Sequence, residues 1–144
     1  MKQGFDYIGV TTSFFCYNGR GKLLLHKRSQ SCRDERGRWD CGGGALRFGE
    51  TWEDGVKREI REEYCCRPLR LDHIGFRNVL RRHDGRKTHW IAILFAVKVN
   101  PKEVKIGNKR KMDEIGWFAP DHLPKPLHSM YLPQLQYVKD AGII

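Results

Sequence analysis

Short apolar runs alternate with charged stretches along the chain, and their periods predict its elements. Tyr7 to Tyr17 is β-branched and aromatic and predicts a strand. Asn18-Gly19-Arg20-Gly21 is a turn signal, and Lys22 to Lys27, with Leu23-Leu24-Leu25 inside it, predicts a second strand closing a hairpin. Ser29 to Arg38 is polar and reads as an exposed loop, and Gly42 to Gly44 as backbone free to adopt angles closed to other residues. Trp52, Val56, Ile60 and Tyr64 recur every four residues and predict the buried stripe of a helix over Thr51 to Tyr64. Thr51 can cap it, Glu53 and Asp54 suit the positive end of its dipole, and Arg67-Pro68 marks its end. Strands are then predicted over Leu71 to Leu80, Thr88 to Val99 (long, apolar and central) and Ile115 to Phe118, with a hairpin turn at His83 to Arg86. Pro101 to Lys111 reads as a basic loop, Pro120 to Pro126 as a proline-punctuated connection, and Pro133 to Ala141 as a C-terminal helix. This order predicts an α/β (α+β) layered fold with a mixed sheet, in one domain over residues 1–144.

The predicted helix carries the candidate chemistry. Glu59, Glu62 and Glu63 stand at i, i+3 and i+4 and share one face at the margin of the apolar stripe. Gly55 falls on that face one turn earlier and is expected to leave room for a metal or a phosphate. Glu50 lies just upstream. Carboxylates this close repel one another, and a hard divalent cation with oxygen ligands is the natural offset. Lys57, Arg58 and Arg61 can neutralise part of the cluster; an ordinary charged helix face laced with salt bridges is the bland alternative.

Composition narrows the class. The net charge of +10 favours an anionic ligand such as a nucleotide, a polyphosphate or nucleic acid, or else simply reflects a solvated basic surface. Basic residues gather at 27–38, 77–87 and 102–111, while carboxylates concentrate between Glu50 and Glu63. The five cysteines form no C-x-x-C pair, which argues against zinc and for reduced thiols in a cytoplasmic protein. No apolar run approaches the ~18 residues of a membrane span. Nor does the N-terminus have the apolar core of a signal peptide.

Gly44, five residues, Glu50, seven residues, then Arg58-Glu59-Ile60-Arg61-Glu62-Glu63 resembles the signature of the Nudix hydrolase family, MutT-like members included. Trp39, Gly49-Glu50 and Ile115-Gly116-Trp117-Phe118 also look like the family. Four positions depart from its pattern: Cys65 replaces the late glycine, Cys66 the closing apolar residue, Gly42 a proline, and Arg47 a frequent acidic residue. Cys65 implies an altered helix exit, and Arg47 a cation near the phosphates.

The resemblance implies an α/β/α sandwich and metal-dependent hydrolysis of a phosphoanhydride in a nucleoside diphosphate linked to another group, assisted by Mg2+ or Mn2+. It implies Glu62 and Glu63 as metal ligands, Glu59 as ligand or general base, Glu50 and the Gly44 carbonyl as outer ligands, and Arg58 as the residue orienting the carboxylates. Asp113 and Glu114 are alternative bases. Arg28, Arg47, Glu114 and His128 are candidates for binding substrate, and Tyr7, Phe15 and Tyr131 for stacking a base. A nucleoside triphosphate is the favoured substrate. ADP-ribose or another nucleotide sugar, an RNA end, and a non-catalytic RNA- or nucleotide-binding module are the alternatives. No membrane partner is expected, and the assembly is a monomer or a homodimer.

Overall fold

The computed structural model describes residues 1–144. In chain order the elements are β1 (Gly9–Tyr17), β2 (Leu23–Arg28), β3 (Trp39–Asp40), β4 (Gly42–Ala45), α1 (Trp52–Tyr64), β5 (Arg70–His83), β6 (Arg86–Lys98), β7 (Met112–Phe118) and α2 (Tyr131–Asp140). The sheet path is β3-β2-β1-β6-β5, with β4 paired to β1 and β7 to β2. β1 and β6 run parallel from Gly9 opposite Trp90 to Tyr17 opposite Lys98, and the other strand pairs are antiparallel. The sheet is therefore mixed, as predicted.

Period-two alternation in the apolar strands explains the layers. Phe14, Cys16 and Leu24 pack with Val56, Ile60 and Tyr64 of α1 on one face of the sheet. Their neighbours Phe15, Tyr17, Leu23 and Leu25 point the other way, against Tyr131, Leu135 and Val138 of α2. β1, β2 and β6 read as continuous apolar runs because helices cover both of their faces. Each such buried side chain contributes ~1.5–3 kcal/mol relative to exposure.

Three expectations change. Tyr7 and Ile8 lie outside β1 and are exposed. Phe15 and Tyr131 are core residues at 1% and 0% exposure and offer no face to a base. The glycine run does not use the backbone angles closed to other residues. It forms strand β4, and none of Gly42, Gly43 or Gly44 has a positive φ. These residues lack side chains for a steric reason: a Cβ at Gly42 would enter the Phe14 ring, and one at Gly43 would strike the Thr12 carbonyl oxygen.

α1 begins as its sequence suggests. Thr51 accepts a hydrogen bond from the Asp54 backbone N–H at 3.2 Å. Its exit is unusual. Cys65 adopts the left-handed conformation at φ 57°, ψ 26°, and its N–H donates to the Arg61 carbonyl at 3.1 Å. Glycine takes this position readily, and an L side chain costs ~1–2 kcal/mol there. The greater freedom of glycine in the unfolded chain offsets part of that gain. Cys65→Gly is therefore expected to raise unfolding free energy by about 0.5–1 kcal/mol. Urea denaturation of the two proteins measures it; an unchanged or lower midpoint would contradict the strain.

Candidate active site

β4 and α1 face each other, and glycine sets their separation. A Cβ on Gly44 would collide with the Glu59 carboxylate. The Gly43 N–H donates to Glu63 Oε2 at 3.2 Å. Arg58 lies among the remaining carboxylates. Its Nε and Nη2 donate to the two oxygens of Glu50 at 2.6 and 2.9 Å, and its Nη1 to Glu59 Oε1 at 2.7 Å. Nη1 also reaches Glu62 Oε2 at 3.5 Å, and Nη2 the Ala45 carbonyl at 3.3 Å. The fork on Glu50 is bidentate, the strongest form of such a contact.

The electrostatics follow from this geometry. Hydrogen bonds from Arg58, then from the Arg47 backbone N–H, hold the Glu50 carboxyl down to about 2. Burial pushes Glu59 up despite Arg58. Burial, reinforced by the charge on Glu59, pushes Glu63 well above the usual carboxylate range.

Glu59, Glu62 and Glu63 line one cavity of about 470 Å³ together with Arg28, Arg33 and His26. A neighbouring cavity of about 430 Å³ shares His26, Arg28, Arg33, Asp34, Gly43 and Glu63 with it and extends to Arg81, Asp40, His128 and Gln134. The two form one cleft, with carboxylates at one end and arginines where they meet.

The other predicted residues divide. Arg28 lines both cavities, with its guanidinium on the Asp34 carbonyl at 3.1 and 3.2 Å and on Asp34 Oδ1 at 3.0 Å. His128 lines the second cavity. Arg47 is exposed at the rim, 3.8 Å from Glu62. The Gly44 carbonyl accepts from the hydroxyls of Thr11 at 3.0 Å and Thr12 at 3.3 Å. Glu114 is not brought to the cleft: on β7 it faces Lys27 at 3.9 Å and is 60% exposed. Its neighbour Asp113 is exposed as well. Gly55 leaves no room for a ligand, because Leu46 and Glu50 fill the space above it, 2.8 and 3.2 Å from where its Cβ would stand.

The donor set is all oxygen and carries excess negative charge, which suits a hard divalent cation. In this arrangement Arg58 offsets the carboxylates, and no three acidic, histidine or cysteine side chains are gathered to hold a metal ion. Three of the carboxylates nevertheless share one cavity, so the chemistry of the residues fits Mg2+ or Mn2+.

The contacts that brace the cleft wall carry little local sequence signal. Glu35 accepts from the Ser129 N–H and hydroxyl at 2.9 Å each and from Arg81 at 2.8 Å. Asp34 joins Arg28 to Arg81. Two acidic residues inside a basic loop were the available hint.

His26 lies on the cleft floor, 5% exposed, its Nδ1 hydrogen-bonded to the Tyr64 hydroxyl at 2.6 Å. Burial, then the positive charges of Arg28 and His128, lowers its pKa from 6.5 to about 3. The unfolded chain takes up a proton below 6.5 that the folded one refuses until about 3, so stability falls as pH drops through that window. By pH 5 the loss from this group is about 2 kcal/mol. Unfolding titrations from pH 7 to 5 should show that slope, and His26→Gln should flatten it; equal slopes would contradict the assignment.

The mixed sheet packed between α1 and α2, with its carboxylates gathered on α1, defines the class of fold. A NUDIX domain model matches residues 8–139, and the chain belongs to the Nudix hydrolase family. It is 34% identical over 104 residues to the ADP-ribose pyrophosphatase of Methanocaldococcus jannaschii, covering 72% of this chain and 58% of that protein. It is 24% identical over 111 residues to mouse 8-oxo-dGDP phosphatase NUDT18, covering 74% of this chain and 31% of that protein. The chain thus spans less than two thirds of either relative. The crystal structure of a MutT NUDIX hydrolase from Burkholderia pseudomallei matches with a TM-score of 0.82 and 27% identity, over 92% of this chain and 99% of the other.

Proposed function

We propose that this Nudix hydrolase cleaves a nucleoside triphosphate to a monophosphate and pyrophosphate with Mg2+ or Mn2+. The observation that carries the reading is the single cleft in which Glu59, Glu62 and Glu63 stand at one end and Arg28 and Arg33 beside them. A bound divalent cation supplies charge neutralisation and a more acidic water. Glu62 and Glu63 hold it, with Glu50 and the Gly44 carbonyl as outer ligands. Glu59 is a further ligand or takes the proton of the attacking water. Water adds to phosphorus, the bridging P–O bond breaks, and pyrophosphate leaves with the electron pair. Arg58 keeps the carboxylates in register. Arg28 binds phosphate once its guanidinium is released from Asp34, and Arg47 and His128 contact the substrate at the rim and in the inner cavity.

ADP-ribose is the second reading, favoured by the 34% identity to a relative bearing that activity in its name. A panel of triphosphates, ADP-ribose, dinucleoside polyphosphates and capped RNA with either metal separates these readings. No turnover of any of them would instead support a binding module. Glu62→Gln and Glu63→Gln should each lower metal-dependent turnover by about a hundredfold or more with unchanged circular dichroism, given the several kcal/mol such an ion supplies. Full activity in both variants would overturn the mechanism.

A further inference from the structure

Of the basic groups along the chain, the one at 77–87 is only partly used by the fold. Arg81 is held by Asp34 and Glu35 at 3.5 and 2.8 Å. Arg86 reaches Asp6 at 3.0 Å and lies over the Phe5 ring, 5.0 Å from its centre. Arg82 and Lys87 have no such partners. Both are exposed, neither lies within ion-pair distance of a carboxylate, and Arg82 donates to the Gly85 carbonyl at 3.2 Å. They stand directly opposite each other where β5 pairs with β6. Like charges at opposed strand positions repel and weaken the pairing, and an anion bound between them reverses that cost.

These two cations border a cavity of about 770 Å³ between the segment before β1 and the outer end of the β5–β6 hairpin. Apolar groups stand in it uncovered: Tyr7 is 49% exposed, Ile8 53% and Leu80 70%. Leu80 pairs with His89 two rungs along the ladder from Arg82 and Lys87, and so on the same face of the sheet. Arg81, Arg82 and Thr88 line this cavity and the cleft alike, so the two meet at these residues.

An exposed ring, aliphatic walls and an unneutralised pair of cations suit a ligand that joins a flat base to a phosphate. Inorganic phosphate would leave the apolar walls uncovered. Continuity with the cleft says what the ligand is attached to. We propose that this cavity receives the second nucleotide of a single-stranded oligonucleotide whose first nucleotide occupies the cleft. This rests on the reading of the cleft as a nucleotide site. The linking phosphate lies between Arg82 and Lys87, and the second base stacks on Tyr7 with Ile8 and Leu80 at its edge. A mononucleotide makes none of these contacts.

Fluorescence anisotropy with a short 5′-phosphorylated oligouridylate, labelled at its 3′ end, tests this in EDTA, where neither an anhydride nor a metal takes part. The oligouridylate should bind the unmodified protein at least about tenfold more tightly than UMP, measured by competition. Lys87→Ala should weaken oligouridylate binding about fivefold and flatten the slope of log affinity against log salt by about 0.7. Tyr7→Ala should weaken it about fivefold or more and leave that slope unchanged. Neither substitution should change UMP binding. Both side chains are exposed, and circular dichroism checks that the variants fold. Oligouridylate binding no tighter than that of UMP, an unchanged oligouridylate affinity in either variant, or an equal loss for UMP would overturn the proposal. So would tighter binding of a polyglutamate peptide or of phosphatidylserine vesicles than of the oligouridylate. Triphosphate turnover, measured separately with metal, keeps the two readings apart. Absent turnover with the oligouridylate effects intact counts against the hydrolase reading and supports this one, whereas turnover with no gain from the second nucleotide does the reverse.

Discussion

One guanidinium set among carboxylates organises the site. Two like charges ~4 Å apart cost ~4 kcal/mol at an effective dielectric of 20. The α1 face and Glu50 bring such charges together, and Arg58 offsets them with direct contacts to Glu50, Glu59 and Glu62. Glu50 immediately precedes the Thr51 cap, so the same contacts also fix how the chain passes from β4 into the helix. Removing Arg58 would leave partly buried carboxylates uncompensated, which costs more than the pair itself contributes. Glu63 lies outside this arrangement. Its hydrogen bond is to the Gly43 backbone N–H, and burial, reinforced by the charge on Glu59, raises its proton affinity.

The far wall is held by contacts remote in sequence. Glu35 and Asp34 tie the 29–38 loop to Arg81 on β5 and to Ser129 before α2. Part of the basic excess is therefore structural: arginines on two walls share two acidic anchors. Asp34 also holds the Arg28 guanidinium beside the cleft.

Legibility tracked the range of each interaction. α1 was readable because its stripe, its cap and its paired glutamates are set within a few turns. β1, β2 and β6 were readable as apolar runs, though their pairing was not. β4 was misread because glycine is disfavoured in strands on local grounds. Its reason is the closeness of Phe14, Thr12 and Glu59, which only the assembled layers show. Glu114 was placed by its nearness to Trp117, yet strand alternation turns it toward Lys27 and away from the cleft. Asp40 and Gln134 carried no signal, since an isolated polar residue becomes informative only once its burial is known.

The bare strand β4 separates what is held constant from what can vary. Its contribution to the cleft is peptide groups, which do not titrate, oxidise or change rotamer. The Glu59 carboxylate packs on that inert wall, whereas other side chains lining the cleft come from the 29–38 loop, from β3 and from the segment before α2. Substitutions there can reshape the lining of the cleft without moving the carboxylates relative to the sheet. The two ends of the cleft are thus free to vary separately within one small domain.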